Sequence, residues 1–157
     1  MEKYKKTPQV GFIEAINYGF REKFSFDLGR SRRSEFWWFT LLFVIGNALL
    51  DGLSYIISQN RIPGANWVVF ALLIYLYSAE AFVFVRRLHD TSHSGYWWFL
   101  LLIGRLCIST FAIVFWWLPI ISIVCCILIA YFGCLDSDKG DNEYGEATKY
   151  ILVEEQD

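Results

Sequence analysis

Residues 36–57 read FWWFTLLFVIGNALLDGLSYII, a predominantly apolar run with a tryptophan pair at its start. At about 1.5 Å per residue, a helix of this length crosses the roughly 30 Å hydrocarbon core of a bilayer. Tryptophan prefers the boundary between membrane and water, because its ring is apolar and its indole N–H needs a polar partner. We therefore interpret this run as a membrane span, with Trp37 and Trp38 at one boundary.

The other tryptophans also stand at the ends of apolar runs. Trp67 opens a second run, and residues 96–135 form a third apolar stretch that contains the pairs at 97–98 and 116–117. As one helix, that third stretch would be about 60 Å long, twice the hydrocarbon thickness, and Pro119 is placed to break it. The sequence predicts an all-α membrane protein with four transmembrane helices, at about 36–57, 67–85, 96–116 and 118–135.

Composition and charge placement agree with a membrane protein. Hydrophobic residues make up 55% of the 157 residues and charged residues only 19%, unlike a soluble domain of this size. Lysine and arginine are concentrated before the first span and directly after the second, whereas Arg61 is alone between the two. Positively charged loops stay in the cytoplasm. We expect a multi-pass protein of the bacterial inner membrane with a cytoplasmic N-terminus. The segment 1–35 lacks the hydrophobic core of a signal peptide, and residues 136–157 are expected to form a solvated acidic tail in the cytoplasm.

The N-terminal segment predicts an amphipathic helix. Thr7-Pro8 is typical of a helix start, and Phe12, Ile16 and Phe20 follow at helical spacing between polar residues. Such a helix either lies in the membrane interface or packs on the protein's own loops, and its pattern alone does not separate the two.

Two polar stretches flank the first two spans, and a third lies near the end of the chain. They are GRSRRSEFW at 29–37, RRLHDTSHSGYW at 86–97 and GDNEYG at 140–145. Over about residues 24–150 the chain resembles the bacterial family called domain of unknown function 805, although Glu143 stands where that family usually has arginine. The resemblance implies a small inner-membrane protein, and the family carries no agreed activity.

Several charged residues of these stretches would meet at one membrane face. Arginine matches phosphate geometry, and each juxtamembrane cation gains about 1 kcal/mol from an anionic leaflet. The alternative is that they only set the topology, with Asp90 pairing with an arginine and His89 bonding a backbone carbonyl. The predicted contacts for lipid headgroups or a protein partner are Arg30, Arg32, Arg33, Arg86, Arg87, His89 and Asp90.

Three charges fall inside the predicted spans, namely Asp51, Glu80 and Arg105. An unpaired arginine at the midplane costs at least about 2.5–3.5 kcal/mol, so it needs a partner. Counted at about 1.5 Å per residue from the inner boundary, Arg105 reaches the depth of Glu80 more easily than that of Asp51. We interpret Glu80 and Arg105 as a structural pair, and the competing hypothesis is an ion or proton path.

Other chemistry is weakly supported. His89 and Asp90 resemble a base and its orienting carboxylate, but no oxyanion-hole pattern accompanies them. His89 and His93 are four residues apart without a third metal ligand. The sequence predicts no enzyme, no metal or other cofactor and no nucleic-acid partner. It favours a membrane interaction or accessory protein that contacts anionic lipids, a protein partner or a second copy, with a small transporter or channel component as the alternative.

Overall fold

The computed structural model describes residues 3–22, 24, 29–109 and 118–153, and within this part the protein is mostly helical. A short strand β1 (Lys3–Lys6) precedes helix α1 (Phe12–Asn17), which continues as one π-helical turn over Tyr18–Glu22. The predicted helix therefore begins at Phe12 and not at Pro8. Gly11 is its N-cap residue, and the Gly11 N–H donates to Glu14 Oε2 at 3.0 Å.

Two long apolar helices follow, α2 (Arg33–Gln59) and α3 (Ala65–His89), and they pack against each other as an antiparallel pair. Both are long and apolar enough to cross a membrane. At about 1.5 Å per residue they measure roughly 40 and 37 Å, so each exceeds the hydrocarbon thickness of about 30 Å by one or two turns. The predicted first and second spans lie inside these helices.

A 3₁₀ turn (Gly95–Trp98) leads into α4 (Phe99–Ser109), and α5 (Leu118–Cys134) packs against α4. These two described helices are shorter than α2 and α3, so the structure gives two helices of full spanning length where the sequence predicts four. The end of the predicted third span and its turn, residues 110–117, lie outside the described residues.

The main buried cluster lies at one end of the bundle. Phe36 and Phe39 of α2, Val83 and Phe84 of α3 and Phe132 of α5 pack together there. Farther along α2 and α3, large apolar side chains such as Leu49 and Trp67 are mostly exposed. An apolar surface of this extent has to be covered by lipid or protein, as in a membrane.

The end of the chain returns to this core. Strand β2 (Tyr150–Val153) pairs antiparallel with β1, and the Thr7 N–H donates to the Lys149 carbonyl at 3.0 Å. The sequence predicts a solvated acidic tail, and Lys139, Asp141 and Glu143 are exposed, whereas Tyr150–Val153 form a small sheet with β1. Thr7 joins the tail instead of starting a helix.

We predict that Gly133→Ala destabilises the bundle. A Cβ at Gly133 would lie 2.4 Å from Phe36 Cε1, and the buried Phe36 ring has no room to move away. Such overpacking costs about 1–3 kcal/mol. The measurement is the free energy of unfolding in mild detergent by titration with sodium dodecyl sulfate.

The matched control is Gly52→Ala on α2, where an added Cβ meets nothing within 4 Å. It should be neutral or stabilising by up to about 1 kcal/mol, because alanine favours helix over glycine. Equal stability of the two variants would contradict the observed packing of α5 on α2.

Candidate functional site

The loop before α2 and the C-terminal end of α3 meet at the core end of the bundle. Gly29 has φ of 70°, a conformation that favours glycine, and it turns the chain directly before Arg30. The Ser31 N–H then donates to the Arg86 carbonyl at 3.0 Å. This bond brings together two of the three polar stretches that were identified from the sequence.

Asp90, the C-cap residue of α3, is the centre of the site. Its Oδ1 accepts from Arg30 Nε at 3.1 Å and from the Thr148 hydroxyl at 2.8 Å, and its Oδ2 accepts from Arg87 Nη1 at 2.6 Å. The side chains of Arg30, Arg87 and Asp90 are fully buried. One carboxylate therefore pairs with two guanidinium groups out of contact with solvent, which requires every partner to be in place.

The remaining donors of the two arginines bind backbone carbonyls. Arg30 Nη1 donates to Gly140 O at 2.7 Å, and Arg30 Nη2 donates to Asp138 O at 3.0 Å. Arg87 Nε donates to Phe132 O and Arg87 Nη1 to Ser31 O, both at 3.3 Å. Hence these side chains fasten the loop, the tail and the end of α5 to α3.

A second buried ion pair joins α2 to α3. Arg86 Nη2 lies 2.9 Å from Glu35 Oε1, and both side chains are at most 2% exposed. Sequence reasoning did not select Glu35 as a site residue. The available signal was its position as the acidic residue of the 29–37 stretch, next to a set of arginines that each need a counter-charge.

His89 contacts the third polar stretch. Its ring stacks on Tyr144 with 4.0 Å between ring centroids and 5° between planes, and its carbonyl accepts from Asn142 Nδ2 at 2.9 Å. His93 Nδ1 lies 3.0 Å from the Thr91 hydroxyl, so the two histidines point to different partners. Among the described residues no group of three His, Cys, Asp or Glu side chains could hold a metal ion.

The other two arginines of the predicted set lie nearer the surface. Arg32 Nη1 donates to the Thr7 hydroxyl at 2.7 Å, whereas Arg33 Nη2 lies 3.0 Å from Asp136 Oδ1 with 44% of the Arg33 side chain exposed. Asp136 also accepts from Lys149, and this hydrogen bond is the main reason that the pKa of Asp136 falls to about 2. The carboxylate of Asp136 thus stays charged at all physiological pH values.

The predicted contact residues therefore divide into two groups. Arg30, Arg86, Arg87 and Asp90 are buried with partners inside the protein, which matches the structural alternative in which Asp90 pairs with an arginine. A lipid headgroup cannot reach their side chains while these pairs are formed. Arg33 is the member of the set whose guanidinium is substantially exposed.

The charges inside the long helices are separated. Glu80 on α3 is 2% exposed, its Oε1 accepts from the Thr40 hydroxyl at 3.2 Å, and its Oε2 has no hydrogen-bond partner among the described residues. Asp51 is exposed on α2. The side chain of Arg105 lies outside the described residues, so the predicted Glu80–Arg105 pair stays a prediction.

We predict that Asp90→Asn severely destabilises the protein, because it leaves two buried guanidinium groups without their counter-charge. Breaking a buried ion pair in this way costs about 3–5 kcal/mol. The measurement is again the free energy of unfolding in mild detergent.

Asp136→Asn provides the matched control at an exposed ion pair, where the expected loss is roughly 0.2–1 kcal/mol. A loss at Asp90 as small as that at Asp136 would show that the buried cluster does not hold the cytoplasmic segments in place.

Comparison with known proteins agrees with the resemblance at the polar stretches. The model of a family described as "Protein of unknown function (DUF805)" matches residues 24–146, which include all three stretches. The relative "Inner membrane protein YhaI" of Escherichia coli K12 is 29% identical over 122 residues, 78% of this chain and 85% of its own. "Inner membrane protein YhaH" of the same strain is 30% identical over 124 residues, 77% of this chain and 85% of its own. No solved structure matches.

Proposed function

This chain belongs to the DUF805 family, and we propose that it is a non-enzymatic interaction protein of the bacterial inner membrane. Its four spans would place the buried cluster and both chain ends on the cytoplasmic side. In this proposal, the exposed basic groups beside α2 contact anionic lipid headgroups. The membrane location is supported by the relatives, which are named as inner membrane proteins, and by the two long apolar helices.

The observation that carries the lipid contact is the position of Arg33 relative to two tryptophans. Arg33 begins α2, and Trp37 lies one turn later on the same side of that helix. The Arg33 side chain is 44% exposed, and Trp37 and Trp38 are each 41% exposed. In the proposed orientation, a half-exposed arginine beside interfacial tryptophans would lie at the depth of the phosphate groups, where it would gain about 1 kcal/mol from an anionic leaflet.

The engagement of His89 and Asp90 supports a non-enzymatic role. Asp90 already accepts hydrogen bonds from Arg30, Arg87 and Thr148, and one face of the His89 ring stacks on Tyr144. An orienting carboxylate has to be free to bond the base, whereas the Asp90 side chain is fully buried among these other partners. The geometry favours a structural use of both residues.

The test is photocrosslinking in bacterial membranes with benzoylphenylalanine in place of Trp37. We expect crosslinks to phosphatidylglycerol as well as to phosphatidylethanolamine, and Arg33→Gln should lower the phosphatidylglycerol share by about fivefold. Lys139→Gln, an exposed cation in the tail, should leave that share unchanged. If Trp37 instead crosslinks to a single protein and not to lipid, the lipid contact is wrong and this surface binds a protein partner.

Glu80 favours a second candidate function, movement of protons or small cations through the bundle. A buried carboxyl with one oxygen that has no partner among the described residues is unusual in a membrane helix and is a typical feature of proton pathways. Purified protein in vesicles that contain a pH-sensitive dye should then dissipate an imposed pH gradient, and Glu80→Gln should abolish this while preserving the fold. If the pH gradient dissipates at the same rate with the protein as in protein-free vesicles, the transport function is rejected.

A further inference from the structure

A groove of about 650 Å³ lies between the N-terminal segment and the helices α2 and α3. Ile16 and Phe20 form its first wall, Leu42 and Leu49 belong to the α2 wall, and Leu72 belongs to the α3 wall. The groove is thus mostly apolar, and its lining residues differ from those of the buried ionic cluster. It faces outward from the helix pair in a protein whose apolar surface requires lipid.

The first wall is held in place by specific contacts. The Tyr75 hydroxyl of α3 donates to the Phe20 carbonyl at 3.1 Å, and the Phe20 ring stacks on Tyr75 at 5.3 Å and packs on Phe39 at 5.1 Å. Gly46 of α2 lines the groove, and a Cβ at this position would lie 3.3 Å from Leu76 Cδ2 of α3, so the two helices approach closely there. The groove is therefore a formed feature of the fold and not a gap between loosely placed segments.

One end of the groove is polar. Asn17 and Arg21 line it there, and Arg21 is the one charged side chain among the lining residues. Arg21 is exposed and has no ion pair among the described residues. Phe20, the neighbour of Arg21, packs on Phe39 at 5.1 Å, and Phe39 directly follows Trp38. This end of the groove therefore lies toward the membrane boundary that the tryptophans mark.

We propose that this groove binds one anionic phospholipid, with its phosphate at Arg21 and one acyl chain along the leucines. The α2 wall runs eight residues from Leu42 to Leu50, or about 12 Å into the hydrocarbon region. Guanidinium forks match phosphate oxygens, and the rest of the wall offers only apolar contacts to a chain. The proposal rests on the proposed function for the membrane orientation alone, since its residues differ from Arg33 and Trp37.

The test is native mass spectrometry of protein released from nanodiscs of equal parts phosphatidylglycerol and phosphatidylethanolamine. We expect one retained phosphatidylglycerol per protein. Arg21→Gln should lower its occupancy relative to phosphatidylethanolamine by about fivefold. Leu49→Trp, which fills the groove from a position that is 69% exposed, should remove the adduct of either lipid.

Two matched controls test the position of the lipid. Arg61→Gln removes an exposed arginine at the opposite end of α2, and Leu53→Trp adds the same bulk one turn beyond the groove. Both should retain the wild-type adduct. All four substitutions are at exposed positions, and an unchanged melting temperature in detergent verifies that each variant is folded.

Three results would overturn the proposal. They are equal retention of the two lipids by the wild type, equal adduct loss in Arg21→Gln and Arg61→Gln, and an adduct that survives Leu49→Trp. The photocrosslinking at Trp37 depends on Arg33 and not on Arg21. If the headgroup contact at Arg33 fails, the result for the groove can therefore still be interpreted independently.

Discussion

The architecture depends on one carboxylate, that of Asp90, between the guanidinium groups of Arg30 and Arg87. Charges buried to this extent lose their hydration, and only close partners compensate for that loss. The partners come from the loop before α2, from α3 itself and, through Thr148, from the tail. The ion cluster consequently determines where three distant chain segments lie, and these segments in turn position α2 and its tryptophans.

The sequence predicted the features that depend on residues close together in the chain. Long apolar runs bounded by tryptophan predicted α2 and α3, because helix length and hydrophobicity are properties of a continuous segment. The sequence also predicted that the polar stretches at 29–37 and 86–97 lie at the same face of the membrane. The start of α1 was missed by four residues, since Thr7-Pro8 has the composition of a helix start although Thr7 is used to hold Lys149.

The parts that sequence reasoning did not find depend on partners far apart in the chain. Glu35 and Arg86 are 51 residues apart, and Asp90 and Thr148 are 58 apart. Nothing in the local pattern of either residue specifies its partner, and an exposed arginine has the same sequence signature as a buried one. Arg86 and Arg33 therefore both belonged to the predicted contact set, although only Arg33 is substantially exposed.

Burial thus separates the basic residues into those that build the protein and those that remain available for contact. Arg30, Arg86 and Arg87 direct their donors to carboxylates and carbonyls of the same chain, and a lipid phosphate would have to break several of these bonds at once. Arg21 and Arg33 are instead exposed, one beside an apolar groove and one beside interfacial tryptophans. Arg33 pairs with Asp136 but remains 44% exposed, so burial is the property that separates the arginines that can bind a lipid from those that cannot. Contact with lipid is therefore expected at the periphery of the ion cluster and not at its centre.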